Sequence, residues 1–210
     1  MTRWKAWFRS GLWVALFSAL LLSLTVRLSA EQAATFEQAL EPEAIRSAVQ
    51  EATAGLSGRP RLMDLAFVAA EDRDFFDEFP AWSMLTGTIA RWYPPREDDR
   101  GIKRHLRELQ VSVALANALE HDEILAWYMA RIYLGRGCYG FEAASVVYFG
   151  TIPEKLRLER IALLAALPKA PTMYDPARRP EKALERRNFL LTEMSKAGFV
   201  TEAVAQMAAE

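Results

Sequence analysis

Apolar residues recur at helical spacing through most of this chain. From Arg61 onward they lie three and four positions apart, which places them on one face of an α-helix. The sequence contains no alternating pattern of the kind that predicts strands joined by tight turns. The pattern therefore predicts a mainly α fold.

The same pattern predicts where individual helices begin and end. A short buried helix is expected to run to about Glu71 with Asp64 as its cap, and a long helix to cover Gly101 to Leu119. One stripe of the long helix is predicted to face the core: Leu106, Leu109, Val113 and Ala116. Four later helices are predicted. The first contains Ile124 and stops at Gly135, and the second runs from Leu158 to Leu167. The third runs from Pro180 to Lys196, and the last follows Thr201 as its cap.

The first thirty residues have the pattern of a membrane anchor. Gly11 to Val26 is a run of sixteen residues without a charge, with three basic residues before it and Arg27 alone after it. Such a run forms a helix in the membrane, and its more basic flank stays in the cytoplasm. The run is shorter than the roughly 20 residues that a span prefers, so a cleaved signal peptide is the alternative. We expect an uncleaved anchor that exports the chain from Glu31 onward.

The exported part is predicted to have two regions. Residues 31–60 are acidic, rich in alanine and interrupted by Gly55, Gly58 and Pro60, and we interpret them as a helical stalk. The domain proper is expected to cover residues 61–210. Between Phe75 and Tyr93 it contains an aromatic-rich stretch, which is followed by two prolines and a polar run.

Composition narrows the possible functions. The net charge of −1 argues against a general nucleic-acid binder, which needs a basic excess to neutralise phosphates. Cys138 is the only cysteine, so neither an internal disulfide nor a cysteine metal cluster can form. The two histidines, His105 and His121, are too few to predict a zinc site.

Two groups of residues could carry chemistry. Glu71 follows an apolar stretch, and partial burial there raises the pKa of a carboxylate and suits it to proton transfer, although a solvated helix end would look the same. Arg104 and Glu108 lie one helical turn apart with Arg107 adjacent, a face that could hold a diphosphate or form an ordinary surface ion pair. The glycine-rich segment from Gly135 to Gly140 predicts a sharp turn between helices and no nucleotide site.

Taken in order, these segments resemble the glycosyltransferase family 51 domain of penicillin-binding proteins and monofunctional peptidoglycan transglycosylases. The first family motif, Glu-Asp-x-x-Phe, is matched by Glu71, Asp72 and Phe75. The third, Arg-Lys-x-x-Glu, is matched by Arg104 and Glu108, with His105 in place of lysine. The later motifs follow in order at Asp122 to Tyr128, Arg131 to Gly135, Tyr139 to Ala144, Tyr148 to Gly150, Leu163 to Pro171, Tyr174 to Pro176, and Arg186-Arg187-Asn188 with Leu191.

The resemblance implies a lysozyme-like helical domain beside the bacterial cytoplasmic membrane, facing the periplasm or exterior. It implies lipid II, a disaccharide-peptide on a polyprenyl diphosphate, as substrate, together with the growing glycan strand and, as further partners, other cell-wall synthesis proteins. Glu71 would be the general base, Glu108 would position the reacting groups, and Arg104 would bind the diphosphate. The remaining expected substrate-binding residues are Asp72, Phe75, Arg107 and Arg187. A divalent cation, magnesium or manganese, assists some family members, and the residues leave open whether it does so here.

The chain also departs from the family. Of the second motif only Thr88-Ile89 remains, and both of its glutamines are absent; Glu78, Pro80 and Ala130 replace other motif residues. The aromatic stretch is interpreted either as a reduced membrane-facing segment, with Phe79, Trp82 and Trp92 at the lipid, or as ordinary core aromatics.

Three functions stay open: a glycan polymerase, a non-catalytic relative that binds lipid-linked glycan or a cell-wall synthesis partner, and a lysozyme-like hydrolase. The retained Glu71 and Glu108 favour the polymerase, and we expect both carboxylates to face one cleft.

Overall fold

The computed structural model describes residues 31, 33–56, 59–94 and 100–210. The predicted anchor at residues 1–30 lies outside this part of the chain, as do Ser57 and Gly58 of the predicted stalk and residues 95–99 of the polar run. Among the described residues, no helix has both the length and the apolar character that crossing a membrane requires. The chain divides after Glu41; in the first unit residues 33–39 are helical, and the unit from Pro42 to Glu210 contains the predicted site residues.

The second unit is mainly α, as predicted. Its described helices are α1 (Pro42–Thr53), α2 (Arg61–Glu71), α3 (Met84–Trp92), α4 (Ile102–Ala118), α5 (His121–Arg131), α6 (Phe141–Phe149), α7 (Leu158–Ala166), α8 (Pro180–Lys196) and α9 (Glu202–Ala209). Short 3-10 turns lie at Ala54–Leu56, Pro80–Trp82 and Pro153–Lys155. Within the described residues the backbone forms one isolated bridge, between Tyr133 and Tyr139, and no strand.

The core is built around α2 and α7, which pack against each other and against α8. The six residues from Ile161 to Ala166 on α7 are all buried, as expected for a helical stretch that carries apolar residues on every side. On α2, Phe67 is fully buried and meets the rings of Tyr128 and Phe141 edge-on, with centroids 6.1 and 5.6 Å away. These contacts fix the end of α2, where Glu71 lies, against α5 and α6.

Helix α1 belongs to this core although it comes from the segment interpreted as a stalk. It packs on α4 and α5 and buries Ile45 and Val49. The Arg46 side chain donates from Nε to the carbonyl oxygen of Ala118 at 3.1 Å, which satisfies an otherwise free carbonyl near the end of α4.

Helix α2 begins three residues before the predicted cap. Pro60 precedes its first residue, Arg61, and Asp64 lies inside the helix. The buried Asp64 carboxylate pairs with Arg59 Nε at 2.6 Å and with Arg61 at 3.3 Å. The prediction of Asp64 as a helix cap is wrong, because its carboxylate oxygens pair with arginine side chains instead of backbone amides.

Helix α4 exists as predicted, but it buries a different face. Its buried residues are Arg107, Val111, Ser112, Leu115 and Ala118. The predicted stripe is wrong, because Leu106 and Leu109 are 59% and 40% exposed and Val113 and Ala116 are only half-buried. The helix packs against α1, α3 and the Pro80–Trp82 turn, and that packing selects the buried face.

The helix ends near the C-terminus agree with the prediction. Pro180 opens α8, which ends at Lys196 ahead of Gly198 with φ of +74°. The Thr201 hydroxyl accepts a hydrogen bond from the amide of Val204 at 3.3 Å and caps α9. The glycine-rich segment is a turn as predicted: Gly140 has a φ of +85°, and a side chain there would collide with the carbonyl of Ala130.

Candidate functional site

Glu71 is the last residue of α2, and the apolar course of this helix places its side chain in a partly buried position. Burial raises the pKa of Glu71 above its ordinary value, because a carboxylate loses hydration there. The positive charges of Arg186 and Lys169 oppose this shift, and the negative charge of Asp72 adds to it. A carboxylate whose pKa is raised in this way is suited to accept a proton from a substrate.

The charged groups around Glu71 come from parts of the chain that are distant in sequence. Lys169 follows α7, Arg186 lies on α8, and Tyr128 comes from α5. Burial, together with the charge of Glu71, raises the pKa of Tyr128 far above its usual range, so its hydroxyl keeps its proton. Trp92 stacks on the Tyr128 ring with a centroid distance of 6.0 Å and an angle of 17°.

Arg186 was not among the residues expected to bind substrate, yet it is the arginine that acts on Glu71. Its guanidinium lies over the rings of Phe189 and Tyr174, at 5.1 and 5.9 Å from their centroids. Its Nε is buried and has no hydrogen-bond partner within the described residues. The group is therefore held in place by aromatic rings and retains an unused donor.

Arg187, the arginine expected to bind substrate, joins two helices. It donates from one terminal nitrogen to the carbonyl oxygen of Ala209 at 2.7 Å and from Nε to Asn188 Oδ1 at 2.9 Å. The bond to Ala209 ties α8 to the last residue of α9, while the bond to Asn188 stays within α8. In this structure the side chain supports the fold at the C-terminus.

Asp72 links the end of α2 to the beginning of α3. One of its carboxylate oxygens accepts hydrogen bonds from Ser83 Oγ at 2.7 Å and from the amide of Met84 at 2.9 Å. Ser83 is the N-cap of α3, and a carboxylate is favourable at a helix N-terminus. The residue expected to bind substrate thus positions α3 beside Glu71.

Phe75 is completely buried. Its ring meets those of His121 and Phe76 with centroid distances of 5.2 and 5.1 Å. His121 in turn makes a hydrogen bond to the carbonyl oxygen of Glu78 at 3.1 Å. Phe75 therefore attaches the loop after Glu71 to the start of α5 and offers no surface to a substrate.

Arg104 and Glu108 form a second group on the first half of α4. Arg104 Nε lies 3.6 Å from a Glu108 carboxylate oxygen, and the arginine side chain is mostly exposed. Arg107 is buried and donates to the carbonyl oxygens of Tyr93 and Pro94 at 3.4 Å each, which ties α4 to the end of α3. Glu71 and Glu108 lie on different helices with different partners, and their meeting in one cleft stays a prediction.

Two of the three aromatic residues predicted to meet lipid are exposed. Trp82 and Phe79 are 65% and 48% exposed, and their rings lie 6.5 Å apart. Trp92, by contrast, is partly buried against Tyr128. The aromatic stretch thus combines surface and packing residues, so neither interpretation of it holds throughout.

The described residues contain no ready-made set of ligands for a metal ion. Across the described part of the chain, no three His, Cys, Asp or Glu side chains converge on a point where an ion could sit. Hard divalent cations prefer several oxygen ligands, which these side chains do not supply together.

The chain matches the family model described as Transglycosylase over residues 83–195. This stretch contains Arg104, Glu108 and Arg186, and it begins after Glu71 and Asp72. Penicillin-binding protein 1A of Aquifex aeolicus (strain VF5) is 37% identical over 158 residues, which are 65% of this chain and 22% of that protein. Penicillin-binding protein 1A of Escherichia coli (strain K12) is 38% identical over 164 residues, 68% of this chain and 19% of that protein.

A crystal structure of penicillin-binding protein 1A from Haemophilus influenzae aligns with 74% of this chain and 16% of that chain, with 24% identity and a TM-score of 0.46. The aligned part of this chain spans about a fifth of the length of the Aquifex aeolicus and Escherichia coli relatives.

Proposed function

Because the chain belongs to the transglycosylase family, we propose that it is a peptidoglycan glycosyltransferase, which polymerises lipid II into glycan strands and releases polyprenyl diphosphate. The observation that carries this proposal is the environment of Glu71. A carboxylate at the end of an apolar helix, with its pKa raised by burial and two cations nearby, has the properties of a general base.

In the proposed reaction, Glu71 takes the proton from the 4-hydroxyl of the acceptor sugar. The hydroxyl oxygen then forms a bond to the anomeric carbon of the donor, and the bond from that carbon to the diphosphate breaks. Burial makes Glu71 a stronger proton acceptor, while the positive charges of Arg186 and Lys169 favour its ionised form. Both cations are also available to bind anionic groups of the substrate.

Arg104 is proposed to bind the departing diphosphate. Its side chain is mostly exposed, and its distance of 3.6 Å from Glu108 is too long for a strong hydrogen bond. A phosphate group could therefore displace Glu108 as its partner and gain charge-assisted hydrogen bonds. Glu108 would then position the reacting sugars. No step of this scheme passes through a metal ion.

We further propose that the domain has a lysozyme-like fold and works beside the membrane, to which residues 1–30 anchor it. The exposed Trp82 and Phe79 support this location, because aromatic side chains favour the interface between lipid and water. Glycan strands and other proteins of cell-wall synthesis would be its partners outside the cytoplasm.

A non-catalytic binding protein is the second candidate. The observation that favours it is the loss of both glutamines from the second family motif, where α3 retains Thr88 and Ile89. Such a protein would bind lipid-linked glycan without joining the sugars.

The test is polymerisation of labelled lipid II by the full chain in detergent, with and without magnesium. Glu71→Gln should lower turnover by about 10²–10⁴ while lipid II binding persists, because the amide keeps the shape of the side chain but cannot accept a proton. Arg104→Ala should weaken binding as well. Asp77→Asn and Lys182→Ala change exposed charges in the loop after α2 and on α8, and serve as controls.

The outcome separates the two candidates. A wild-type chain that binds lipid II but forms no polymer, and a Glu71→Gln variant that binds equally well, would replace the enzyme with the binding protein.

A further inference from the structure

A buried carboxylate on α8 holds the segment that follows Glu71. Glu193 is 5% exposed, and its carboxylate forms ion pairs with Arg73 and Lys196. The Lys196 pair has a distance of 2.9 Å and stays within one turn of α8, whereas the Arg73 pair joins α8 to the loop after α2. A buried charge is tolerated only where partners compensate its lost hydration. The Glu193 carboxylate therefore requires its cationic partners, and Arg73 is the one that links α8 to the loop after α2.

The two ends of this link lie close to the catalytic base in sequence and in structure. Arg73 follows Glu71 by two residues. Glu193 and Arg186 are seven residues apart on α8, which is close to two helical turns and places both side chains on one side of the helix. Helix α8 packs against α2, and its Glu193 pairs with Arg73 in the loop that follows. From the same helix the positive charge of Arg186 acts on Glu71.

We propose that Glu193 is a positioning residue: its ion pair with Arg73 fixes α8 against the end of α2 and thereby holds Arg186 beside Glu71. This inference rests on the proposed function of Glu71 as a general base. It gives a role to a buried charge that the proposed chemistry does not use. A hydrophobic residue at position 193 could fill the same space, but it could not bind Arg73.

The groups that face Glu71 determine what the loss of this link would do. Arg186 acts on Glu71 from α8, Lys169 from the segment after α7, and Tyr128 from α5, while Asp72 is its neighbour in the chain. Of these influences, only the charge of Arg186 depends on the placement of α8. If α8 shifts, Glu71 loses one of its two opposing cations, and its pKa should rise further.

Glu193→Gln tests the proposal because it preserves the shape of the side chain and removes the charge. Its matched control is Glu185→Gln, an exposed glutamate on the same helix. In the polymerisation assay, Glu193→Gln should lower kcat by roughly tenfold to a hundredfold through misplacement of the site, with a smaller change in KM. The acid limb of its kcat/KM profile should move to higher pH, an effect that a general loss of stability would not produce.

Arg73 offers a second test from the exposed end of the ion pair, and in its variants the buried Glu193 carboxylate keeps Lys196 as a partner. Arg73→Gln should reproduce the change in pH profile, and Arg73→Lys, which keeps the positive charge, should restore most of the wild-type profile. The Arg73 side chain is about half exposed, so neither variant leaves a cavity in the core. Arg73→Lys also keeps the compensation of the buried Glu193 charge, so this variant should fold as the wild type does.

A measurement without turnover separates this inference from the proposed function. The pKa of Glu71 can be followed by NMR titration of its carboxyl carbon in the full chain, with Glu71→Gln for assignment. A higher pKa in Glu193→Gln and Arg73→Gln than in Glu185→Gln supports the positioning role even if the wild type forms no polymer. Equal pKa values in these variants overturn it, even if the wild type is an active polymerase.

Discussion

The carboxylate of Glu71 is governed by two opposing effects, the loss of hydration and the field of nearby cations. Burial outweighs Arg186 and Lys169, so the pKa in the folded protein lies above that in the unfolded chain. The folded state therefore binds the proton more tightly, and this contribution to stability is complete below the unfolded pKa. It is lost as pH rises through the folded pKa.

Glu71→Gln should consequently increase the free energy of unfolding at pH 7. The amide cannot ionise, so the variant avoids the cost of a partly buried charge. The gain should disappear below about pH 4, where glutamate is protonated in both states. Urea unfolding of the wild type and of Glu71→Gln at several pH values would measure this gain. A variant less stable than the wild type at pH 7 would mean that the two cations outweigh burial in their effect on the Glu71 carboxylate.

The pKa of Asp175 shifts in the opposite direction, below its ordinary value. Hydrogen bonds from Arg136, at 2.5 and 3.1 Å to Oδ1, and from the amide of Ala177 at 2.9 Å lower its pKa. Its contribution to stability is therefore present above the unfolded pKa and is lost as pH falls through the folded pKa.

Arg136→Met should remove about 1–3 kcal/mol from the free energy of unfolding at pH 7, because the buried Asp175 carboxylate loses its main donor. The difference from wild type should shrink in acid. Arg178, 3.8 Å from Asp175 and 72% exposed, provides the control, and Arg178→Met should cost well under 1 kcal/mol. Equal losses from the two variants would contradict the importance of burial.

The sequence pattern grouped Arg186 and Arg187 in one motif but did not show which of the two acts on Glu71. Arg186 and Arg187 each precede a buried leucine by four positions, Leu190 and Leu191, so helical spacing could not separate them. The position of α9 distinguishes the two arginines, because Arg187 donates a hydrogen bond to the carbonyl oxygen of Ala209 on that helix. In the same way, Phe75 has the right place in its motif, but its burial depends on α5.

Among the elements, α4 shows the same limit of local pattern. Its length and ends followed from the sequence to within one residue, because breakers and apolar spacing are local signals. Its buried face did not follow from the sequence, because Leu106 and Leu109 form an apolar stripe as good as that of Val111 and Leu115. The buried face is the one that α1 and α3 cover.

This choice of face predicts unequal effects of the same substitution on one helix. Leu115 is fully buried, so Leu115→Ala should cost about 2–5 kcal/mol in the free energy of unfolding. Leu106 is mostly exposed, and Leu106→Ala should change it by no more than about 0.5 kcal/mol. Chemical denaturation of the two variants is sufficient, and comparable losses would place Leu106 in the core after all.

At the scale of the whole molecule, the fold class and the family could be predicted because both depend on the order of local patterns along the chain. The assembly of the site could not. Glu71, Tyr128, Lys169 and Arg186 come from four separate parts of the chain, and no spacing rule connects them. Only the packing of α2 against α5, α7 and α8 brings them together.

The extent of the folded unit is a further property of the whole molecule. The acidic, alanine-rich composition of residues 31–60 suggested a stalk, with the domain beginning at residue 61. Contacts instead gather the chain from Pro42 to Glu210 into one compact unit, because α1 covers parts of α4 and α5.

The two boundaries predict different stabilities for two fragments. A fragment of residues 61–210 lacks Ile45 and Val49, which are almost fully buried, and exposes the apolar surface that they cover. At about 1.5–3 kcal/mol for each side chain, the loss is roughly 3–6 kcal/mol, a large share of the 5–15 kcal/mol typical of a domain. A fragment of residues 42–210 should therefore unfold in urea at a clearly higher midpoint than 61–210. Equal midpoints would mean that α1 adds nothing to the core, and the domain would then begin at residue 61.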